Sequence, residues 1–420
     1  MKSSVSAVEG AWLADRGLRA VLLALDEGNA AADPTALIVG GAVRDALLGR
    51  AVGDIDIATR LAPAAVTERL ARAGIKTVPT GLAHGTVTAL ADGRTFEITT
   101  LRKDVETDGR RATVAFTDDW QADAARRDFT MNALYCDLAG RVFDPTGTGI
   151  EDAKAGRVRF IGRPEERLAE DYLRLLRFFR FRAHYGQGDS DAEALAACAR
   201  AAPELARLSG ERLRQETLRL LAADDPGPTI EEMARVGVLD RLLPGGADVA
   251  RLARLVSIEN RVGERDPLRR LAALRFGLDN RALAERLRLS NDERDRLIAI
   301  GGPENRLRAD LGVRDARALL HALGAPRFRD LVLLYEAGGA DEPAREPWRR
   351  LCALSDSWRP PEFPLRGADL VAAGLTPGKA VGILLRELEN WWVDRDFAPD
   401  RDELLAELRR RREPSGDRGA

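Results

Sequence analysis

Cysteine, histidine and lysine are all scarce in this chain of 420 residues, and each scarcity removes a class of function. The three cysteines, Cys136, Cys198 and Cys352, lie far apart with no C-x-x-C pair, and the histidines are His84, His184 and His321 alone. So few and such scattered ligands build neither a disulfide framework nor a structural zinc site, and a reducing cytoplasm fits best. No stretch approaches the ~18 apolar residues of a membrane span, and the opening residues MKSSVSAVEGAWLADRGLRA hold no apolar signal-peptide core, so neither insertion nor export is expected. Only five of the 65 basic residues are lysine, and the net charge is −2. The sum hides an arginine-rich chain, in which any functional arginine must be argued from its neighbours and spacing. Glycine-rich G-x-G-x-x-G is missing at the first strand-to-helix turn, which excludes a dinucleotide-binding domain of the usual kind.

A chain of this length exceeds one ordinary core, and roughly three or four domains is the starting expectation. Up to about residue 150, short β-type runs alternate with helical ones. ALIVGG (36–41) reads as a buried strand ending in a turn and DIDIAT (54–59) as a second strand; HGTVTAL and TFEITTLR read as a hairpin about ADGR, and TMNALYCDLAGRVFDP as a strand pair about LAGR. Beyond residue 151, Leu, Ala, Arg and Glu recur at helical spacing between breaks such as GQGDSD, ADDPGPT and LLPGGAD. The expected architecture is α+β: a mixed-sheet head over residues 1–150, then a helical neck (151–225), body (226–310) and tail (311–420).

The stretch GGAVRDALLGRAVGDIDIAT (40–59) concentrates the chemistry. Side chains alternate along a strand, so Asp54 and Asp56 share one face while Ile55 and Ile57 turn to the core. Two carboxylates on one face repel unless a cation lies between them, and a hard divalent ion, Mg²⁺ above all, is the natural occupant. Gly40 and Gly41 let main-chain N–H groups approach a phosphate where strand becomes helix, and Arg44 would add a charged contact. Glu97, pointing opposite to Phe96 and Ile98, would complete an acidic cluster if its strand lay beside that of the aspartates.

These residues, G-G-x-V-R-D, L-L-G and D-x-D in this order, resemble the head signature of class II tRNA nucleotidyltransferases and their poly(A) polymerase relatives, on the polymerase-β-type nucleotidyltransferase fold. RRDFTMNAL (126–134), AEDYLRLLRFFRF (169–181) and GERLRQETLRLL (210–221) follow in the family's order, and LRGADLVAAGLTPGKAVGILLRELE (365–389) is similar to its C-terminal segment. The resemblance implies two-metal nucleotidyl transfer with Asp54 and Asp56 as Mg²⁺ ligands, CTP and ATP as substrates and the tRNA 3′ end as acceptor. It also implies that Asp171 and Arg174 choose the nucleotide and that Arg127 joins Arg177 and Arg180 in binding it.

Donor and acceptor counting supports that choice. Cytosine and adenine each pair an exocyclic amine with an unprotonated ring nitrogen, so an acceptor (Asp171) beside a donor (Arg174) fits both, whereas uracil and guanine present a carbonyl beside a ring N–H. Asp171, Arg174, Arg177 and Arg180 read as a spiral strip at i, i+3 on one helix. Phe178, Phe179 and Phe181 read as packing, and His84 as a structural residue beside a glycine turn. The polar segment KDVETDGRRATVAF matches the family's flexible loop, and its full length argues against a CC-only enzyme. An A-adding or poly(A)-synthesising member is the nearest rival, disfavoured because no long basic extension is present; a non-catalytic helical RNA-binding protein is the rival from another class, opposed by the intact D-x-D.

Overall fold

A computed structural model describes residues 3–27, 33–81, 85–108, 111–302, 307–339 and 345–412. In chain order the strands are β1 (Ser3–Ala7), β2 (Ala36–Val39), β3 (Asp56–Thr59), β4 (Lys76–Gly81), β5 (Thr86–Ala91), β6 (Arg94–Thr100), β7 (Arg102–Asp108), β8 (Arg111–Phe116), β9 (Tyr135–Cys136) and β10 (Arg141–Phe143). Eight of them form one sheet in the order β1-β10-β9-β2-β3-β6-β5-β4, and β7 and β8 pair with each other. The helices that position the site are α1 (Arg16–Asp26), α2 (Gly41–Leu47), α3 (Pro63–Arg72), α4 (Trp120–Ala125), α5 (Gly149–Lys154), α6 (Pro164–Glu170), α7 (Leu173–Tyr185), α8 (Ala192–Ala201) and α9 (Gly210–Leu221).

The apolar run of β2 is buried at every position, and it pairs antiparallel with β3 on one side and β9 on the other. Leu37, Val39, Ala58, Leu101, Trp120 and Tyr135 pack as one core under these strands. The expected hairpin forms as β5 and β6, with Asp92 and Gly93 at positive φ in its turn. β6 then lies parallel to β3, with Asp56 opposite Glu97 and Ile57 opposite Ile98.

Three details differ from the sequence reading. The second strand begins at Asp56, so Asp54 and Ile55 precede it, although the alternation holds: Asp54 and Asp56 are exposed while Ile55 and Ile57 are buried. Residues 102–116 contain the antiparallel pair β7 and β8, where a loop was expected; Val105, Thr107, Thr113 and Val114 favour extended backbone despite the segment's overall polarity. The strip of Asp171, Arg174, Arg177 and Arg180 does not lie on one helix. α6 ends at Glu170, Asp171 takes extended angles (φ −158°, ψ 105°), and α7 starts at Leu173 with its N–H donated to Asp171 Oδ1 at 3.1 Å. An Asp side chain competes for helical N–H groups in this way, which splits what periodicity alone joins.

The chain divides into two compact units, residues 1–247 with 285–289, and residues 248–284 with 290–420. The second is helical and carries much of the arginine in internal ion pairs. Glu259, fully buried, accepts from Arg269 (2.8 Å) and Arg270 (2.6 Å), and Asp330 pairs with Arg269 (3.1 Å) and Arg296 (2.8 Å). Leu365, Leu370, Leu388, Trp392, Leu404 and Leu408 form a core of their own toward its C-terminal end. The three cysteines are buried and unbridged. Among the described residues no helix is long and apolar enough to cross a membrane.

Candidate active site

A cavity of about 500 Å³ opens between the strand ends of the head and helices α7 and α9. Every metal- or nucleotide-site candidate from the sequence lines it except Asp54, which lies two residues before Asp56, and Glu97, which faces Asp56 across the parallel pair. Arg126, Asp128, Asn132, Leu173, Phe181 and Arg212 complete the lining. His84 lies outside the described residues.

Gly40 ends β2 at φ +76°, a conformation glycine adopts without strain. A Cβ there would come within 3.9 Å of Arg127 Nη1 and 3.7 Å of the Asn132 carbonyl, so the missing side chain keeps this corner open to a ligand. On the adjoining strand, Asp56 has its pKa raised. The surrounding protein withdraws water from it, Glu97 and Asp54 add like charge, and Arg127 pulls the other way without cancelling them. Among the described residues no group of three carboxyl, imidazole or thiol side chains converges as a ready-made metal cage. Two or three exposed carboxylates sharing one face are what remains, an arrangement that leaves coordination positions to water and phosphate oxygens.

Arg44 is 6% exposed and already engaged. It donates to Asn132 Oδ1 (2.7 Å), to Asp45 Oδ1 (3.0 and 2.9 Å) and to the Tyr185 hydroxyl (2.7 Å), and its guanidinium lies 4.1 Å from the centre of the Tyr185 ring. These bonds leave one N–H of Nη1 over. Arg44 therefore clasps α2 to α7 as well as lining the cavity, a role that nothing in its local sequence announced, because Tyr185 lies 141 residues away.

Elsewhere in the lining, Asp171 and the arginines of α7 are held by a second row of side chains. Asp171 Oδ2 accepts from Arg212 at 2.6 Å, and each carboxylate oxygen retains a lone pair. Arg174 donates to Glu170, to the Arg167 carbonyl (3.1 Å) and to the Arg126 carbonyl (3.0 Å). Arg177 pairs with Asp128 at 2.5 Å and Arg180 with the buried Glu216 at 2.7 Å. Burial lowers the pKa of Arg180, with the neighbouring Arg177 adding to the effect. Phe178 and Phe179 are fully buried as expected, while Phe181 reaches the cavity wall, 4.5 Å from the Arg180 guanidinium. Arg212 and Glu216 belong to the quoted GERLRQE run, whose position in order was the available signal; their partners were not legible.

Sheet, glycine corner, carboxylate face and arginine wall together define a nucleotidyltransferase with a poly(A)-polymerase-type head. Residues 36–159 match the family described as Poly A polymerase head domain, and residues 191–249 match that described as a probable RNA and SrmB-binding site of polymerase A. The mouse (Mus musculus) CCA tRNA nucleotidyltransferase 1, mitochondrial, is 35% identical over 399 residues, which cover 89% of this chain and 86% of that protein. The CCA-adding enzyme of Streptococcus gordonii is 30% identical over 389 residues, covering 90% and 94%. Among solved structures, the CCA-adding enzyme of Bacillus stearothermophilus in complex with CTP matches with a TM-score of 0.71 at 26% identity, over 94% of this chain and 97% of that one. The chain belongs to the CCA tRNA nucleotidyltransferase family, whose members are generally metal-dependent.

Proposed function

We propose that this protein adds CMP, CMP and AMP, from CTP and ATP, to the 3′ ends of tRNA without a nucleic-acid template. One observation carries the reading: a single cavity joins the Asp56 carboxylate to the Asp171/Arg174 pair, so the reacting phosphate and the base are addressed at once. Asp54 and Asp56 are the residues that would hold Mg²⁺; burial and the neighbouring carboxylates of Glu97 and Asp54 raise the pKa of Asp56, and a divalent cation would offset that like charge. Held by Asp54 and Asp56, such a metal would supply acidity to an attacking hydroxyl and positive charge for pyrophosphate. The open corner at Gly40 and Gly41 admits the triphosphate, with Arg127 beside it and the last Arg44 N–H within the same wall. Asp171 offers its spare lone pair to the exocyclic amine, and Arg174 donates to the ring nitrogen of cytosine or adenine. The cytoplasm is the proposed compartment.

The deciding assay supplies tRNA lacking one, two or three 3′ nucleotides with each NTP singly and sequences the ends. Two C additions, then one A and a stop, are expected. Runs of A, or A addition alone, would assign the chain to a different member activity.

A further inference from the structure

Asp123 lies on α4, only 1% exposed, and no role for it follows from the cavity lining. Its two carboxylate oxygens serve two different arginines. Oδ2 accepts from Arg127 Nε (3.2 Å) and Nη2 (3.0 Å) and from the Tyr135 hydroxyl (2.8 Å). Oδ1 accepts from Arg126 Nε (2.8 Å) and Nη2 (2.6 Å) and, at 3.4 Å, from the main-chain N–H of Arg102. With Nε and Nη2 committed, Arg127 is left with Nη1 toward Gly40, the corner assigned to the triphosphate. Its guanidinium also stands 5.5 Å from the centre of the Tyr135 ring, whose hydroxyl closes the same arrangement.

The other arginine turns away. Arg126 Nε donates also to the Arg102 carbonyl at 3.1 Å, at the first residue of β7, and the Arg126 carbonyl accepts from Arg174. Arg102 pairs with Phe116, so this is where the β7–β8 hairpin leaves the head. A single buried carboxylate thus fixes the root of the hairpin, the phosphate-side arginine and, through one carbonyl, an arginine of the selector pair.

We propose that Asp123 is a positioning residue for nucleotidyl transfer: it aims Arg127 into the triphosphate corner and locks that aim to the hairpin root. The proposal rests on the reading of Arg127 as a nucleotide-binding residue. Because Asp123 is separated from the cavity by the arginines it holds, it acts on the substrate only through them. Burial alone would raise its pKa, yet Arg127, Arg126 and the Tyr135 hydroxyl hold it below the usual carboxylate value, so the pairs are present throughout the neutral range.

The test measures KM and kcat for CTP with full-length protein and tRNA lacking its terminal CCA, in Asp123→Asn, Tyr135→Phe, Arg127→Ala and the two doubles with Arg127→Ala. Asp123→Asn should raise KM about tenfold or more, as losing charge-assisted hydrogen bonds to one arginine does. In the Arg127→Ala background the same change should add less than about threefold, because there is no longer an Arg127 to aim. A purely structural Asp123 would instead give penalties that multiply, and that result overturns the proposal. If Asp123→Asn does not fold, Tyr135→Phe decides: it removes one hydroxyl and no charge, and a KM rise that disappears with Arg127→Ala supports the role, while a wild-type KM refutes it. An unchanged KM in Arg127→Ala alone would sink the reading of the site itself, a failure distinguishable from the others.

Discussion

At the scale of single residues, the site holds its charges at a cost to the fold. Asp56 is raised in pKa, so its ionised form is the less favoured one in the folded chain, and stability is gained as pH falls through that raised value. Asp56→Asn should therefore abolish nucleotide addition and yet raise the melting temperature in chelator at neutral pH, with the advantage shrinking in acid as the wild-type carboxylate protonates. Melting curves of both proteins at two pH values check this, and a lower melting temperature for the Asn variant at neutral pH would contradict it. Arg44 predicts the reverse pattern. Removal of the guanidinium leaves the Asp45 carboxylate without this cation and the buried Asn132 Oδ1 without this donor. Arg44→Ala should cost about 3 kcal/mol of stability and reduce activity along with it, whereas Arg127→Ala should reduce activity with a smaller thermal effect.

At the scale of elements, the sequence was most legible where hydrophobic alternation and turn residues agreed. ALIV was a buried strand, ADGR closed a hairpin, and the face of Asp54 and Asp56 followed from the buried Ile55 and Ile57. Legibility failed where a side chain competes with the backbone or where a partner is distant in sequence. The helical periodicity of EDYLRLLRFFR ran straight through Asp171, which ends α6 in extended conformation and whose carboxylate accepts from the first N–H of α7. The strand β1 at the sheet edge and the hairpin of β7 and β8 carried too little apolar pattern to be read. The break has a functional corollary: Asp171, freed from helical geometry, is steered by Arg212 rather than by its own turn. Asp171→Ala should shrink the penalty against UTP and GTP by roughly ten- to a hundredfold, the worth of a lost base contact, with CTP and ATP activity falling as well. Relative incorporation of all four NTPs onto tRNA ending before the first C measures it. Uniform loss with strict exclusion of UTP and GTP would move nucleotide choice elsewhere.

At the scale of the whole molecule, arginine divides between two duties. Arg269, Arg270 and Arg296 are spent on Glu259 and Asp330 inside the second unit, so the basic count overstates what is available to RNA. An enzyme that accepts every tRNA cannot read bases that differ among them, and its grip must fall on phosphates and shape. Affinity of the full chain for tRNA should drop at least about tenfold between ~50 and ~200 mM salt, measured by filter binding; near-constant affinity would rule out a phosphate-led grip.

The parallel pairing of β3 with β6 has a consequence in time. Asp56 and Glu97 meet on one rung although about 40 residues of chain, with α3, β4 and β5, are spent between them, and non-local contacts of this kind close late. Helical signal should return early in refolding while catalytic competence lags behind it, so a head still emerging from the ribosome is inert toward nucleoside triphosphates until its last long-range strand pair has formed.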